Sequence, residues 1–511
     1  MAILVKKNFN VHAAQQFKES FAESDPSQHY LFYSRIDPWG DDYNPPAFSD
    51  TQYAERGIWR GMTAVKKISN NSVTMSATKY SWAANTLYTQ YSDTNGDLST
   101  SNFYVITSNN EVYKCLFNSS NSLSTVMPTG KSTSVITTAD GYKWKFMYDI
   151  SAADMNRYGG LNHIPVKTLT TNDGSAQWTV QQAAANGSVP IYEVTSGGSG
   201  YLENKGTFAG VTSTTQLTIA NTAVESDNVY NGSTIFISNG LGSGQIRVIT
   251  GYNASTKLVT VNNAFTVSPN TSSTYHIGPR INIIGDGTGA LAYANVQSGS
   301  VAKITPINEG SSYSRARVNI TANPSFGSGA TAVTYLPGVG GHGADPENEL
   351  FARNVTMNVQ VTGNEGGYFA ANNQFRIYGI VKDPTLRSTG AVASGDRYDQ
   401  TFRLSLNSIT GDFTQDEFVK GGTSGSAGRV VYFANTNSSR TKGVLHLSYP
   451  EGFFANAETI TANSSGVTAV IDQITKPDLV PYSGQMLYTV TQRPIERDSA
   501  QTENFTITVK F

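Results

Sequence analysis

The sequence predicts a mainly β, multidomain protein. The expected core is α+β with few helices and β-sandwich-like, and it carries inserted small β-modules. Three observations point there. Only 14% of the 511 residues are charged while 11% are aromatic, the reverse of a disordered chain. Short apolar runs recur between clusters of Gly, Ser, Asn and Thr, the punctuation of strands and tight turns. At the end of the chain Phe505, Ile507, Val509 and Phe511 alternate with Asn504, Thr506, Thr508 and Lys510. That is the period of a half-buried strand, expected to be sewn into a sheet. A chain this long exceeds one hydrophobic core, so about two to four domains are expected.

Taken in order, residues 11–23 form the best helix candidate. Ala13, Phe17 and Phe21 fall four apart on one face, joined by Ala14, and Asn10 stands where a cap would. His29–Ser34 reads as a strand closed by Asp37-Pro38, and Pro45-Pro46 is expected to break regular structure between it and Trp59. Further strands are expected at Phe103–Ile106, Glu111–Leu116 and Lys143–Ile150.

From about Val180 the texture changes. Gly198-Ser199-Gly200-Tyr201 recurs 112 residues later as Gly310-Ser311-Ser312-Tyr313, each after an apolar strand, Ile191–Val194 and Ile304–Ile307. A Gly-x-Gly element appears at Gly242, Gly287 and Gly327, with a relative at Gly425–Gly428. Glycine permits positive φ and tight reversals, so all of these are expected to be hairpin or crossover turns of small β-modules. Their irregular spacing argues against a solenoid. The run Pro337–Gly343 reads as a hinge returning from an insertion, and Lys476-Pro477 ends a second module. The expected organisation is a core in 1–182, inserted modules in 183–340, core again in 341–395, a second module in 396–475 and a closing core segment in 476–511.

The net charge is −2, with 36 basic and 38 acidic residues and no long basic run, which argues against nucleic acid and anionic membrane as partners. One cysteine, Cys115, excludes an internal disulfide framework. The apolar patch Ala2–Val5 precedes Lys6 and Lys7, the wrong order for a signal peptide. No apolar run reaches the roughly 18 residues of a membrane helix. Asn-x-Ser/Thr triplets, as at Asn118 and Asn231, are expected by chance in this composition.

Motifs that resemble chemistry fall short of it. Gly130-Lys131-Ser132-Thr133 lacks the earlier glycine of a phosphate loop, since position 125 is Thr, and Pro128 removes a donor. Asp93–Asp97 resembles half a calcium loop but has Leu98 and Tyr104 where Gly and Glu are needed. Gly285–Gly289 has no following helix and no lysine, so it reads as a turn rather than a phosphate nest. The six histidines lack metal-ligand spacing; only His342, beside Asp345 and Glu347, has acidic company. Cys115, at an apolar strand position, reads as a buried inert thiol. No catalytic, cofactor or metal residues are assigned. Trp39, Tyr43, Phe48, Tyr53 and Trp59 lie in a proline-containing segment. They either pin an irregular loop to the core or serve as interface anchors.

Several blocks, in order, resemble one family. They are Arg35-Ile36-Asp37-Pro38-Trp39, Asn44-Pro45-Pro46, Ile58–Met62 leading into Val65-Lys66, Val112–Leu116, Asp140-Gly141-Tyr142-Lys143-Trp144, Phe375-Arg376 with Ile380 and Pro384, Ser483–Tyr488, Arg493-Pro494 and Phe511. Together they resemble the baseplate wedge protein encoded by gene eight of T-even-like contractile-tailed bacteriophages, in a cyanophage-type form with insertions. The resemblance covers about half of the chain. It implies a non-enzymatic virion protein of the tail baseplate, made and assembled in the host cytoplasm, without cofactors. It implies a homodimer that contacts the wedge proteins of genes six, seven and ten and takes part in rearrangement at host attachment. Two rivals stand beside it: a host-glycan-binding tail protein, and a polysaccharide depolymerase using paired carboxylates such as Asp41-Asp42 or Asp345 with Glu347.

Overall fold

The computed structural model describes residues 7–23, 27–35, 39–371, 373–448 and 450–511. The expectations on Ala2–Val5 and on Ile36, Asp37 and Pro38 lie outside the described residues. The chain is mainly β, with five α-helices among the described residues. It divides into two compact units: one built mainly from Ala77–Ala352, the other from Phe9–Ser76 together with Arg353–Phe511. The hinge Pro337–Gly343 lies inside the first.

The discontinuous unit is organised on a five-stranded antiparallel sheet ordered Arg397–Asp399, Met62–Lys67, His29–Ser34, Asn373–Lys382, Gln485–Arg497. His29–Ser34 is buried at all six positions because it is central, with a neighbour on each side and both faces covered. Strand Thr502–Lys510 pairs along Asn354–Thr362, setting Phe505 opposite Val359 and Ile507 opposite Met357. On the inner face Tyr33 stacks on Phe375 at 4.4 Å, and Phe505 packs on Tyr33 at 5.2 Å. The two sheets therefore meet face to face as a sandwich.

The first helix runs Lys7–Glu19, so Asn10 lies within it rather than capping it. Its end comes earlier than the periodicity predicts. Phe21 and Ala22 donate to carbonyls three residues back, which tightens the last turn, and Phe21 stacks on His29 at 4.0 Å. A helix at Gln52–Gly61, capped by Thr51 accepting from the Ala54 N–H, replaces the irregular segment expected before Trp59. Gly57 and Gly61 hid it, being poor helix formers. Gly61 is needed, because a Cβ there would lie 2.5 Å from the Arg35 carbonyl oxygen.

Strands between Phe402 and Thr475 close into a six-stranded barrel filled by Leu404, Leu406, Val419, Val430, Leu445, Leu447, Ile460 and Ile471. The barrel is an internal duplication that the sequence reading overlooked. Phe-x3-Glu-x6-Ser-Gly occurs at Phe413–Gly425 and again at Phe454–Gly466. The copies exchange caps. Glu417 accepts from the Ser465 N–H at 2.8 Å and from the Thr414 N–H at 2.6 Å. Glu458 accepts from the Ser424 N–H at 2.9 Å and from the Ala455 N–H at 2.6 Å.

In the other unit, Tyr104–Ile106, Glu111–Phe117, Lys143–Asp149 and Ile136–Thr137 form one sheet over a core of Tyr88, Tyr113, Cys115, Tyr142, Trp144 and Phe146. A seven-stranded sheet occupies Asn204–Gly278 and has its own core, including Leu217, Tyr230, Ile235, Val259 and Tyr275. Around it in sequence lies a second duplication. Gly-Ser-Val-x8-Gly-Ser-x-Tyr spans Gly187–Tyr201 and Gly299–Tyr313; Gly-Thr/Ser-Gly-Ala-x-Ala spans Gly287–Ala292 and Gly327–Ala332.

These copies also interlock. Ser199 faces Ser328 and Gly197 faces Ala330; in the same register, Ser311 faces Thr288 and Glu309 faces Ala290. Arg280–Gly285 pairs with Ala316–Thr321, placing Asn282 opposite Asn319 at the centre. The Tyr201 N–H donates to the Gly299 carbonyl at 2.9 Å, and the Tyr313 N–H to that of Gly187 at 3.2 Å. The strands do not turn at Gly198 and Gly310, as expected, but run through to Ser199 and Ser311. Both glycines sit at positive φ, where a Cβ would collide with the paired strand's backbone. They are points of close backbone approach within a paired strand, not reversals. The Gly-x-Gly elements do stand where one strand hands over to the next.

Candidate interaction surface

The five predicted aromatics separate into two groups. Trp39 and Phe48 pack on the cluster of Tyr30, Phe32, Ile58 and Trp59, and the Trp39 Nε1–H donates to the Gln492 carbonyl at 2.9 Å. Trp59 is itself buried in that cluster, beside Tyr482. These three pin the segment to the sheet. Tyr43 and Tyr53 are 78% and 87% exposed. Tyr43 is held under the Arg493 guanidinium at 5.3 Å; Tyr53 projects from helix Gln52–Gly61.

That helix forms one wall of an open cleft of about 610 Å³, with barrel residues Phe418, Gly428 and Arg429 opposite and Tyr482 at its rim. Among the described residues four arginines line it, Arg35, Arg56, Arg60 and Arg429, against one carboxylate, Glu451. Arg35 is buried and fixed. Its Nε donates to Asp416 Oδ1 at 2.9 Å, a second nitrogen reaches Asp416 Oδ2, and a third donates to the Gln374 carbonyl at 2.9 Å. Arg429 lies over the Phe418 ring at 5.0 Å. Arg60 meets Glu451 as an exposed pair, the kind that contributes little to stability. Arg56 is exposed. The cleft can receive anionic, planar groups, which guanidinium forks bind in pairs of hydrogen bonds. Sequence reasoning missed it because Arg429 is far from helix Gln52–Gly61 in the chain. The only local signal was Arg56 and Arg60 at helical spacing.

The other candidates resolve into structural roles. Asp93–Asp97 is a surface turn in which Asn95 Oδ1 accepts from the Asp97 N–H. Lys131 pairs with Asp149 at 3.0 Å. Asp286 accepts from the Ser314 hydroxyl and from the Ser314 and Arg315 N–H groups, and these bonds hold its carboxyl at about 2, so it ties the Gly285–Gly289 turn to the neighbouring segment. Burial raises the Cys115 thiol pKa. Asp140 Oδ2 accepts from the Thr125 and Val126 N–H groups, Gly141 takes φ +87°, and Tyr142 stacks on Trp144 at 5.4 Å. Asp-Gly-Tyr-x-Trp is therefore a folding device.

His342 does not take Asp345 or Glu347 as its partner. It is buried with Lys114, whose Nζ lies 2.8 Å from Glu349 Oε2 and 3.1 Å from His342 Nδ1. Burial lowers the His342 pKa to about 4. Burial alone would raise Glu349, but the Lys114 ammonium outweighs it and holds the carboxyl at about 2. Asp345 instead caps the short helix Pro346–Glu349 and accepts from Thr168. In the same unit an open groove of about 560 Å³ is lined by Arg247, Asn262, Arg280 and Asn282.

No protein-family model matches the chain, and no curated protein does. Among solved structures, a chain of the virion of a native gene transfer agent particle is similar over 52% of this chain and 82% of that one, at 12% identity and a TM-score of 0.15. A score that low does not establish a shared fold, and no function is drawn from it.

Proposed function

We propose that this chain is a structural subunit of a phage-type virion, acting by protein–protein contact rather than catalysis. The finer reading is a tail baseplate wedge protein, homodimeric, assembled with the wedge proteins of genes six, seven and ten and repositioned at host attachment. One observation carries it. Most of the blocks that resemble the gene-eight wedge family stand hundreds of residues apart in the chain, yet fall in one sheet or directly against it, while Val112–Leu116 and Lys143-Trp144 pair with each other in a sheet of the other unit. Met62 and Val65 lie in the strand beside His29–Ser34, which leads into Arg35; Phe375, Arg376 and Ile380 lie in the strand on its other side; Met486–Tyr488 and Arg493-Pro494 lie in the next strand. Phe511 rests on Phe17 at 5.4 Å. Dispersed resemblance that converges on one folded core is what descent of that core with insertions would leave.

The test is proteomic. The chain is expected in purified tails and baseplates at fixed stoichiometry, and expected to co-purify with wedge proteins as a dimer in solution. Its absence from purified particles would sink the reading. A monomer at micromolar concentration would remove the dimer.

A further inference from the structure

We propose that the outer edge of strand Thr502–Lys510 is an interface that pairs antiparallel with the same strand of a second copy of this chain. The inference rests on the assembly role proposed above and names the surface through which two copies meet.

The bare edge is the first argument. Thr502–Lys510 pairs with Asn354–Thr362 at all nine positions without a register shift. Among the described residues no strand lies on its other side. In an antiparallel pair alternate residues bond across the ladder, and those between them turn N–H and C=O outward. Among the described residues none bonds to these outward groups. Such a row of free donors and acceptors is a template for another strand.

Other sheet edges in the molecule are blunted. The barrel strands close on themselves. The seven-stranded sheet ends in Asn204–Thr207 and Gly210–Val211, four and two residues long. The five-stranded sheet ends on one side in the three residues Arg397–Asp399. On its other side Gln485–Arg497 is covered: Trp39 donates to the Gln492 carbonyl, Thr491 to that of Pro46 and Arg493 to that of Tyr43. Thr502–Lys510 has no such cover and no proline, glycine or bulge. Glu503 does not guard it, being turned onto Arg497 at 2.9 Å. The run Asn504–Val509 is uncharged and rich in β-branched residues, the composition of segments that pair readily with other strands.

Self-complementarity selects the occupant. A two-fold axis through Ile507, perpendicular to the sheet, sets each Ile507 opposite the other and keeps the apolar faces together. Phe505 then meets Val509 of the second copy, and Thr506 meets Thr508. Aromatic–β-branched and Thr–Thr pairs of this kind stabilise antiparallel strands. Val509, half-buried in the single chain, gains an aromatic neighbour. Lys510 falls opposite Asn504 and Glu503 opposite Phe511, so no like charges are opposed. An axis one residue earlier, at Thr506, sets Val509 against Glu503 instead.

The experiment is sedimentation of the full-length chain across the micromolar range, with hydrogen exchange of the same samples. A dimer is expected, and amides of Thr502–Lys510 are expected to slow as it forms. Asn504→Lys, which opposes a second ammonium to Lys510, should weaken the dimer at least about tenfold. Asn504→Glu, which opposes a carboxylate to Lys510, should leave it as tight or tighter. Asn504 is exposed, and unchanged exchange in Asn354–Thr362 shows that both variants are folded. The proposal is overturned by a monomer throughout the range, by a dimer in which Thr502–Lys510 gains no protection, or by equal affinities of Asn504→Lys and Asn504→Glu. Protection of this strand that appears only when wedge proteins are added assigns the edge to another chain and overturns it as well. The chain's presence in particles is read separately, so either reading can fail alone.

Discussion

Each unit contains a duplicated β-segment whose two copies interlock, but the locks differ in kind. In the barrel, each copy's glutamate caps the other copy's Ser-Gly turn through N–H···O bonds of 2.8–2.9 Å. In the 187–334 segment each copy's glycine gives way to the other copy's backbone, and Tyr201 and Tyr313 close over Gly327 and Gly287. The first lock is electrostatic and titrates. The second is steric and depends on the absence of a side chain. The same exchange of strands can thus be held by adding a group or by omitting one.

The largest break in this comparison is expected from Tyr313→Ala. It empties a buried ring site and should destabilise the glycine-tyrosine lock by about 3–5 kcal/mol. Local hydrogen exchange of strand Thr288–Gln297 reads the effect. Gly310→Ala and Gly198→Ala should follow, each costing about 2–3 kcal/mol, from positive φ and backbone overlap together. Equal losses for the two glycines support equivalent copies; a neutral result at either removes the equivalence.

Glu458→Gln and Glu417→Gln should each cost about 0.5–1.5 kcal/mol in the barrel, because charged acceptors of turn N–H groups are lost. The pH dependence gives the sign. Burial raises both carboxyl pKa values, but hydrogen bonds from Ser465, Thr414, Ser424 and Ala455 outweigh it, so both lie below the ordinary 4.5. A depressed carboxyl contributes stability that is present above 4.5 and is lost as pH falls through the folded value. Barrel amides should therefore lose protection as pH drops below 4.5, and the double Glu→Gln variant should show a flatter dependence. The smallest effect sharpens the contrast with surface charge: Arg56→Glu should change stability by no more than about 0.5 kcal/mol, measured by thermal melting.

Half of this arrangement was legible beforehand. His29–Ser34 and the terminal alternation declared themselves because their period-2 or fully apolar patterns have one structural meaning. The Gly-Ser-x-Tyr pair was seen, but its spacing looked irregular because the seven-stranded sheet is lodged within the first copy. Helix Gln52–Gly61 was hidden by its glycines, one required by the Arg35 backbone and one left open at the cleft. The Glu417 and Glu458 repeat passed unnoticed because its shared residues, Phe413 and Phe454 with the glutamates and the Ser-Gly turns, are thinly spread through each copy.

Composition and local pattern alone determined that this chain is mainly β, turn-rich and multidomain, since propensity and period are properties of neighbours in sequence. Which strands pair, which turn each glutamate caps, and that Arg35, Arg56, Arg60 and Arg429 line one cleft were decided only by tertiary structure. Those relations join residues tens to hundreds of positions apart. They form only when burial of the shared cores offsets the entropy of closing such long loops.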